Sequence, residues 1–334
     1  MIRRRIVCVL ALASFLALPA VAVAASADQA GETGGAAGKS PQPQGPPSAT
    51  VKIVHIGHLS GGRATIYSTV PVVGTVHPFV AGQKVDVSFY RDGRRIQHRK
   101  VKLRKGKGDT GVFRAKVRVR EAGRYAVSAK HVATAALGGD GTVRKSWKVR
   151  FPSLHQGQCG DVVAGFKRAM RKLGYIANSG RCFGGKTARG VLAYRKVNGM
   201  TRSTRAGKGL VKRVFAGRGG YRVRHPGAGR HVEAPLSEQV LVFAEGDRPY
   251  AIYPVSSGKP STPTVTGHFQ FIRTEPGYNA KGMYYSWYFY GGYAVHGYAS
   301  VPDYPASHGC IRTFIADQPE VYDRIEYGED IFVF

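Results

Sequence analysis

The sequence predicts a multi-domain, mainly β chain: a β-sandwich, then a small helical bundle, then a β-rich C-terminal unit. Three observations carry this. Apolar residues recur at period two between residues 50 and 152, recur at helical spacing between 153 and 228, and return to strand-like runs from 229 to 334. At 334 residues the chain is long enough for two or three domains. A hydrophobic content of 43% supplies real cores and excludes a wholly disordered chain.

The N-terminus carries an address. Arg3, Arg4 and Arg5 precede an apolar run from Ile6 to Leu18, then Pro19 and the small-x-small pattern Ala22-Val23-Ala24. This reads as a signal peptide over residues 1–24, with an uncleaved anchor as the alternative. Residues 25–49 are rich in Gly, Ala, Ser, Pro and Gln and read as a disordered linker. After the N-terminus no apolar run approaches the roughly 20 residues a membrane span needs. The formal charge of +30 calls for an anionic partner. Export directs that charge away from nucleic acid and toward a membrane surface or an anionic polymer. Residues 91–120, with Phe113 as their one aromatic, also lack the interleaved rings that nucleic-acid stacking needs.

Between 50 and 152, Val85, Val87 and Phe89 alternate with polar residues, as do Val117 and Val119. Turns fall at Asp92-Gly93, Gly106–Gly111, Ala122-Gly123 and Gly138–Gly141. Short strands about every ten residues over about 100 residues suggest an immunoglobulin-like β-sandwich. It holds 22 basic and 5 acidic residues. From 153 to 228 the period changes. Val162, Val163, Phe166, Met170 and Leu173 form one helical stripe, and Thr187, Val191 and Tyr194 a second. Leu210, Val211, Val214 and Phe215 form a third. This bundle holds 17 basic residues and 1 acidic residue. The run Leu173-Gly174-Tyr175, then Phe183-Gly184, then Asn198-Gly199-Met200 resembles the peptidoglycan-binding-like domain, which implies glycan or stem-peptide contact.

Residues 229–334 hold 7 basic and 12 acidic residues. Val240, Val242, Phe243, Tyr250, Ile252 and Tyr253 suggest a hairpin about Asp247. Phe269, Phe271, Val295, Ile331 and Val333 add strand positions, and a helix is expected near Gln318–Ile325. Within this unit lies Ser307-His308-Gly309-Cys310-Ile311-Arg312, and Val295-His296-Gly297 stands upstream. An attacking cysteine must be a thiolate, and an imidazole can take its proton. His296 and His308 are both on offer. Gly309 permits close backbone approach, and the N–H groups of Gly309 and Cys310 are candidate oxyanion donors. Arg312, two residues on, would share a strand face with Cys310 and hold a carboxylate or carbonyl. Zinc held by His296, His308 and Cys310 is the rival, but the spacing is poor and no fourth ligand is evident. The aromatic run Tyr284, Tyr285, Trp287, Tyr288 and Tyr290, flanked by Gly282, Gly291 and Gly292, reads as a packed strand or as a lid over a substrate.

The histidine, spacer and Ser-His-Gly-Cys-x-Arg pattern resembles the L,D-transpeptidase catalytic domain, the YkuD-type family. Tyr253–Lys259, Thr262–Phe269 and Tyr322–Gly328 fit the same family. Ten residues separate His296 from Ser307, fewer than many members carry. The resemblance implies Cys310 as acyl-forming nucleophile, His296 as general base and His308 and Gly309 as supports of the oxyanion region. It places Arg312, Ser307, Gly297 and Tyr298 around the donor stem peptide, with the Gly297 carbonyl orienting the imidazole. It implies attack on the bond after the third stem residue, release of D-alanine, transfer to an amine, susceptibility to carbapenem acylation, and no cofactor or metal. The alternatives are hydrolysis by the same site, as an L,D-carboxypeptidase, or a wall-binding protein with an inactive site. With Cys8 lost in the signal, Cys159 and Cys182 offer each other a disulfide partner and leave Cys310 free.

Overall fold

The computed structural model describes residues 45–139 and 141–334. The expected signal peptide and residues 25–44 of the expected linker lie outside the described residues. Among the described residues no helix is long and apolar enough to cross a membrane. The chain is mainly β, with four sheets and four α-helices among the described residues.

The first nine strands are β1 (Thr50–Ile56), β2 (Arg63–Thr65), β3 (Thr69–His77), β4 (Lys84–Arg91), β5 (Arg94–Lys102), β6 (Arg104–Lys105), β7 (Gly111–Arg118), β8 (Gly123–His131) and β9 (Thr142–Arg150). They form two sheets, ordered β1-β3-β7-β6 and β2-β9-β8-β4-β5. Val85, Val87 and Phe89 are fully buried between them, with Val70, Val72 and Phe113 opposite. The β4–β5 hairpin turns at Asp92 and Gly93, both at positive φ (48° and 86°), which matches the twist of the flanking strands. The expected linker boundary needs correction. Ser48 bridges to Gly138, and Ala49 is buried in the sandwich core, so the last residues of 25–49 are part of the sandwich. Composition could not reveal this, because small residues suit a tether and a tight approach equally.

Three helices follow: α1 (Asp161–Lys172), α2 (Gly185–Val197) and α3 (Lys208–Phe215). Val163, Phe166 and Met170 point α1 into a core shared with Val191 and Tyr194 of α2 and with Leu210, Val211 and Val214 of α3. Cys159 and Cys182, at the approaches to α1 and α2, are bridged. Helix α1 stops at Gly174, which has φ 85° and whose added Cβ would lie 2.7 Å from the Pro249 carbonyl oxygen.

The C-terminal unit contains β10 (Arg230–Ala234), β11 (Val240–Glu245), β12 (Arg248–Pro254), β13 (Gly267–Gln270), β14 (Arg273–Tyr278), β15 (Tyr284–Tyr290), β16 (Tyr293–Tyr298), β17 (Ile311–Phe314), α4 (Gln318–Arg324) and β18 (Asp330–Val333). One sheet runs β12-β11-β10-β18-β13 and the other β14-β15-β16-β17. Phe271 lies between β13 and β14 rather than in a strand, and is fully buried. Strand β11 is apolar on both faces. Leu241 and Phe243 face the core between the two sheets, while Val240, Val242 and Ala244 complete the core of the helical module. This double burial explains the unbroken run Val240–Ala244, where a half-exposed strand would alternate. The helices and the β12-β11-β10-β18-β13 sheet therefore share one core.

Candidate active site

Parallel pairing of β16 with β17 builds the site. Its register sets His296 beside Arg312 and Gly297 beside Thr313. Cys310 lies immediately before β17, at the end of the Ser307–Cys310 loop. That loop is clasped by one hydroxyl. Ser307 Oγ donates to the Cys310 carbonyl at 2.5 Å and accepts the Gly309 N–H at 3.1 Å. Gly309 has φ 115°, and an added Cβ would stand 2.7 Å from the Tyr293 ring, so conformation and space both require glycine. Behind the loop, Ser256 exchanges backbone hydrogen bonds with Arg312, and Ser307 O accepts the Lys259 N–H and the Thr262 hydroxyl. Gly258 is forced here as well, since its Cβ would meet Thr262 O at 2.3 Å.

Cys310, His296, Tyr298 and Arg312 line one cavity of about 300 Å3. Ser307, His308 and Gly292 also border it. His296 is nearly buried, and its Nδ1 lies 2.9 Å from the Gly297 carbonyl oxygen. A carbonyl only accepts, so Nδ1 carries the proton and Nε2 is left with its lone pair. Burial lowers the His296 pKa to about 4, opposed by the Gly297 hydrogen bond and reinforced by the nearby Arg312 charge. Burial also raises the Cys310 thiol above its ordinary value, against the lowering effects of a backbone contact at Ala294, Arg312 and Lys281. Both groups are therefore held neutral at rest. Sγ contacts the Gly292 carbonyl oxygen at 3.6 Å, in the β15–β16 turn. Burial thus favours the neutral form of both the thiol and the imidazole.

Other sequence-marked residues take different places. The Arg312 guanidinium stacks 4.1 Å over the Tyr298 ring, which fixes its plane toward the cavity. His308 is exposed, with Nε2 3.5 Å from Lys259 Nζ. Gly297 is buried behind the imidazole, where an added Cβ would stand 2.9 Å from the Gln318 Cβ, and its carbonyl oxygen meets His296 Nδ1. The Gly309 N–H is already satisfied by Ser307, which removes it as a free oxyanion donor. The aromatic run is strand β15, with Trp287, Tyr288 and Phe289 buried, so it is packing and not a lid. What reaches the cavity is the adjoining β14–β15 turn, through Lys281 and Met283. Asn279 shapes that turn by accepting the N–H groups of Lys281 and Met283. Sequence spacing did not single out Lys281, Met283 or Lys259. They come to the site through tertiary packing, and only the unspent positive charge of two of them was a cue.

Residues 229–333 match the family model for YkuD, the L,D-transpeptidase catalytic domain. Among solved structures, an L,D-transpeptidase from Xylanimonas cellulosilytica is 28% identical, with 55% of this chain and 98% of that chain covered and a TM-score of 0.50. A second, from Stackebrandtia nassauensis, is 19% identical, with 54% and 94% covered and a TM-score of 0.33. No curated protein matches the chain. The match over 229–333 spans every residue that lines the cavity, so residues 229–333 of this chain form an L,D-transpeptidase catalytic domain of the YkuD family.

Proposed function

We propose that the protein is an exported L,D-transpeptidase that crosslinks peptidoglycan stem peptides through an acyl-enzyme at Cys310. The observation that carries this reading is the shared cavity: a free cysteine and a neutral histidine, its Nδ1 committed to Gly297, open into one cleft of about 300 Å3. As a substrate carbonyl approaches, the Cys310 thiol turns from Gly292 and gives its proton to His296 Nε2. The sulfur attacks the carbonyl carbon of the third stem residue and a C–S bond forms. The C–N bond to D-alanine breaks, and the proton passes from His296 to the departing amine. An acceptor amine then attacks the thioester, loses a proton to His296, and the proton returns to sulfur as the C–S bond breaks.

Lys281, Lys259 and Arg312 surround this path with positive charge, although the C-terminal unit as a whole is acidic. That suits a donor carrying a terminal carboxylate. The basic sandwich and helical module hold the enzyme to anionic wall polymers. Mass spectrometry of products from purified tetrapeptide-containing muropeptides tests the reading. A crosslinked dimer lacking one D-alanine is expected. Tripeptide alone would make the enzyme an L,D-carboxypeptidase. A chain with neither product and no carbapenem adduct at Cys310 would be a wall-binding protein.

A further inference from the structure

Helix α2 of the helical module reaches the catalytic cavity through two chains of polar contacts, one on each side. The first begins at Lys196, which is 5% exposed. Its Nζ donates to Val255 O at 2.7 Å and Gln239 O at 3.1 Å, both in the catalytic unit. A buried ammonium is costly unless its donors are filled, and burial brings the Lys196 pKa down to about 7. Gln239 donates from Nε2 to Ser257 Oγ at 2.5 Å and accepts the Ser257 N–H at 3.0 Å. The Ser257 carbonyl accepts the N–H groups of Ala306 and Ser307, each at 2.9 Å. Ser307 then clasps Gly309 and Cys310.

The second chain begins about two turns earlier on α2, at Arg189. Its Nε and Nη2 donate to the two carboxylate oxygens of Asp317 at 2.5 and 2.6 Å, and Asp317 is 2% exposed. The same guanidinium lies 5.5 Å from the Phe314 ring of β17. Asp317 precedes α4 and its carbonyl accepts the Val321 N–H. The next residue, Gln318, donates to Tyr285 O at 2.5 Å and packs against Gly297 and Thr313. Gly297 O is the acceptor that orients His296.

We propose that α2 is a positioning element of the active site: Lys196 sets the loop that carries Cys310, and Arg189 sets the strand that carries His296. The helical module is on this view part of the catalytic apparatus and not only a spacer or wall-binding unit. Displacement of a reacting group by about 1 Å can cost about 100-fold in rate. The proposal rests on Cys310 and His296 being the reacting pair.

Arg189→Gln, Lys196→Met and, as a control on the same interface, Lys186→Gln are made in the full mature chain. Lys186 pairs with Glu320 and belongs to neither chain of contacts. Adduct formation by the carbapenem imipenem at Cys310 is followed by intact mass over a concentration series, beside the thermal midpoint. Arg189→Gln and Lys196→Met are expected to slow the saturating rate at least tenfold, with half-saturating concentration unchanged within twofold. Lys186→Gln is expected to stay within twofold of wild type. Arg189→Lys is expected to remain slow, since an ammonium cannot make the paired contact. It also serves as the test if Arg189→Gln does not fold. Wild-type rates in Arg189→Lys and Lys196→Met overturn the proposal. So does equal slowing by Lys186→Gln, which would mean general loosening of the interface. A wild-type protein that forms no adduct at Cys310 overturns the functional reading itself, and this proposal with it.

Discussion

Desolvation shifts Cys310 and His296 in opposite directions with one result: the neutral form of thiol and imidazole is favoured in one cavity. The pH dependence follows. His296 must be neutral to accept a proton, and a pKa of about 4 keeps it neutral from pH 5 upward. Carbapenem acylation should therefore hold its rate from pH 8 down to pH 5 on the imidazole's account, and should rise toward alkaline pH as the thiol ionises. An acid limb centred at about 6.5, the ordinary histidine value, would show an imidazole in water instead. The same shift links to stability. The folded-state pKa lies below the unfolded one, so this contribution is complete above pH 6.5 and is lost as pH falls through 4. For a shift of this size it is roughly 3 kcal/mol. Cys310→Ala should abolish both adduct and turnover. His296→Ala should slow acylation by at least 100-fold, because the thiol loses its acceptor. His308→Ala, at an exposed residue beside Lys259, should cost less than tenfold. Wild-type acylation in His296→Ala with loss in His308→Ala would exchange the two roles. At this scale the sequence was informative about identity but not about state. Spacing singles out Cys310, His296, Gly309 and Arg312, whereas desolvation and the occupation of the Gly309 N–H depend on what packs around them.

At the scale of elements, period distinguished strand from helix wherever one face met solvent. Val85, Val87 and Phe89 alternate because β4 buries one side, and the stripe of α1 is helical for the same reason. Strand β11 defeats such reading. Its continuous apolar run says that both faces are covered, without saying by what. The second cover is the helical module, joined by Val240, Val242, Ala244 and Ile252. A chain cut to residues 229–334 would expose this face. Fully exposing a Val or Ile side chain costs about 1.5–3 kcal/mol, so the loss approaches the whole stability of a small domain. The excised unit should bind the dye ANS, melt at least 10 °C lower than the full chain and acylate poorly. Equal melting and no dye binding would mean that the two modules are energetically separate. The disulfide belongs to this scale too. Cys159 and Cys182 are 23 residues apart and bracket α1 with its following turn. In the chain-entropy account, closing a loop of that length stabilises by roughly 3 kcal/mol. Thiol titration of the mature chain, denatured without reductant, should find one reactive cysteine, and three would refute the pairing.

Across the whole molecule, charge and core divide the chain differently. Charge falls into three blocks that composition alone displays, two strongly basic and one mildly acidic. The cores instead join the second block to the third, which no composition count could reveal, because it depends on which sheet face α2 covers. The sandwich keeps a core of its own. On edge strand β5, Arg99 pairs in register with buried Val87 and so takes the core-facing side, where an apolar residue would be expected. Strand β6 pairs only with Gly111 and Val112 of β7, so it leaves the next stretch of β7 uncovered beside β5. Arg99, Lys100, Lys102, Arg114 and Lys116 line a groove of about 500 Å3 there. Among the described residues, the ion pairs of the sandwich use Arg91, His77, His98 and Arg118, and none of these five. Unpaired cations along an open strand edge suit an extended polyanion, held by attraction that fades once salt shortens the Debye length to about 3 Å at 1 M. The mature chain should therefore co-sediment with purified cell walls at low ionic strength and be released near 1 M salt. Arg99→Glu, Lys102→Glu and Arg114→Glu together should weaken retention at least tenfold, while acylation at Cys310, in a different core, stays at the wild-type rate. Retention that ignores salt would place the contact in glycan or stem-peptide pockets. Retention unchanged by the triple substitution would move it from this groove to the remaining basic surface, and no retention at all would leave the sandwich as a spacer.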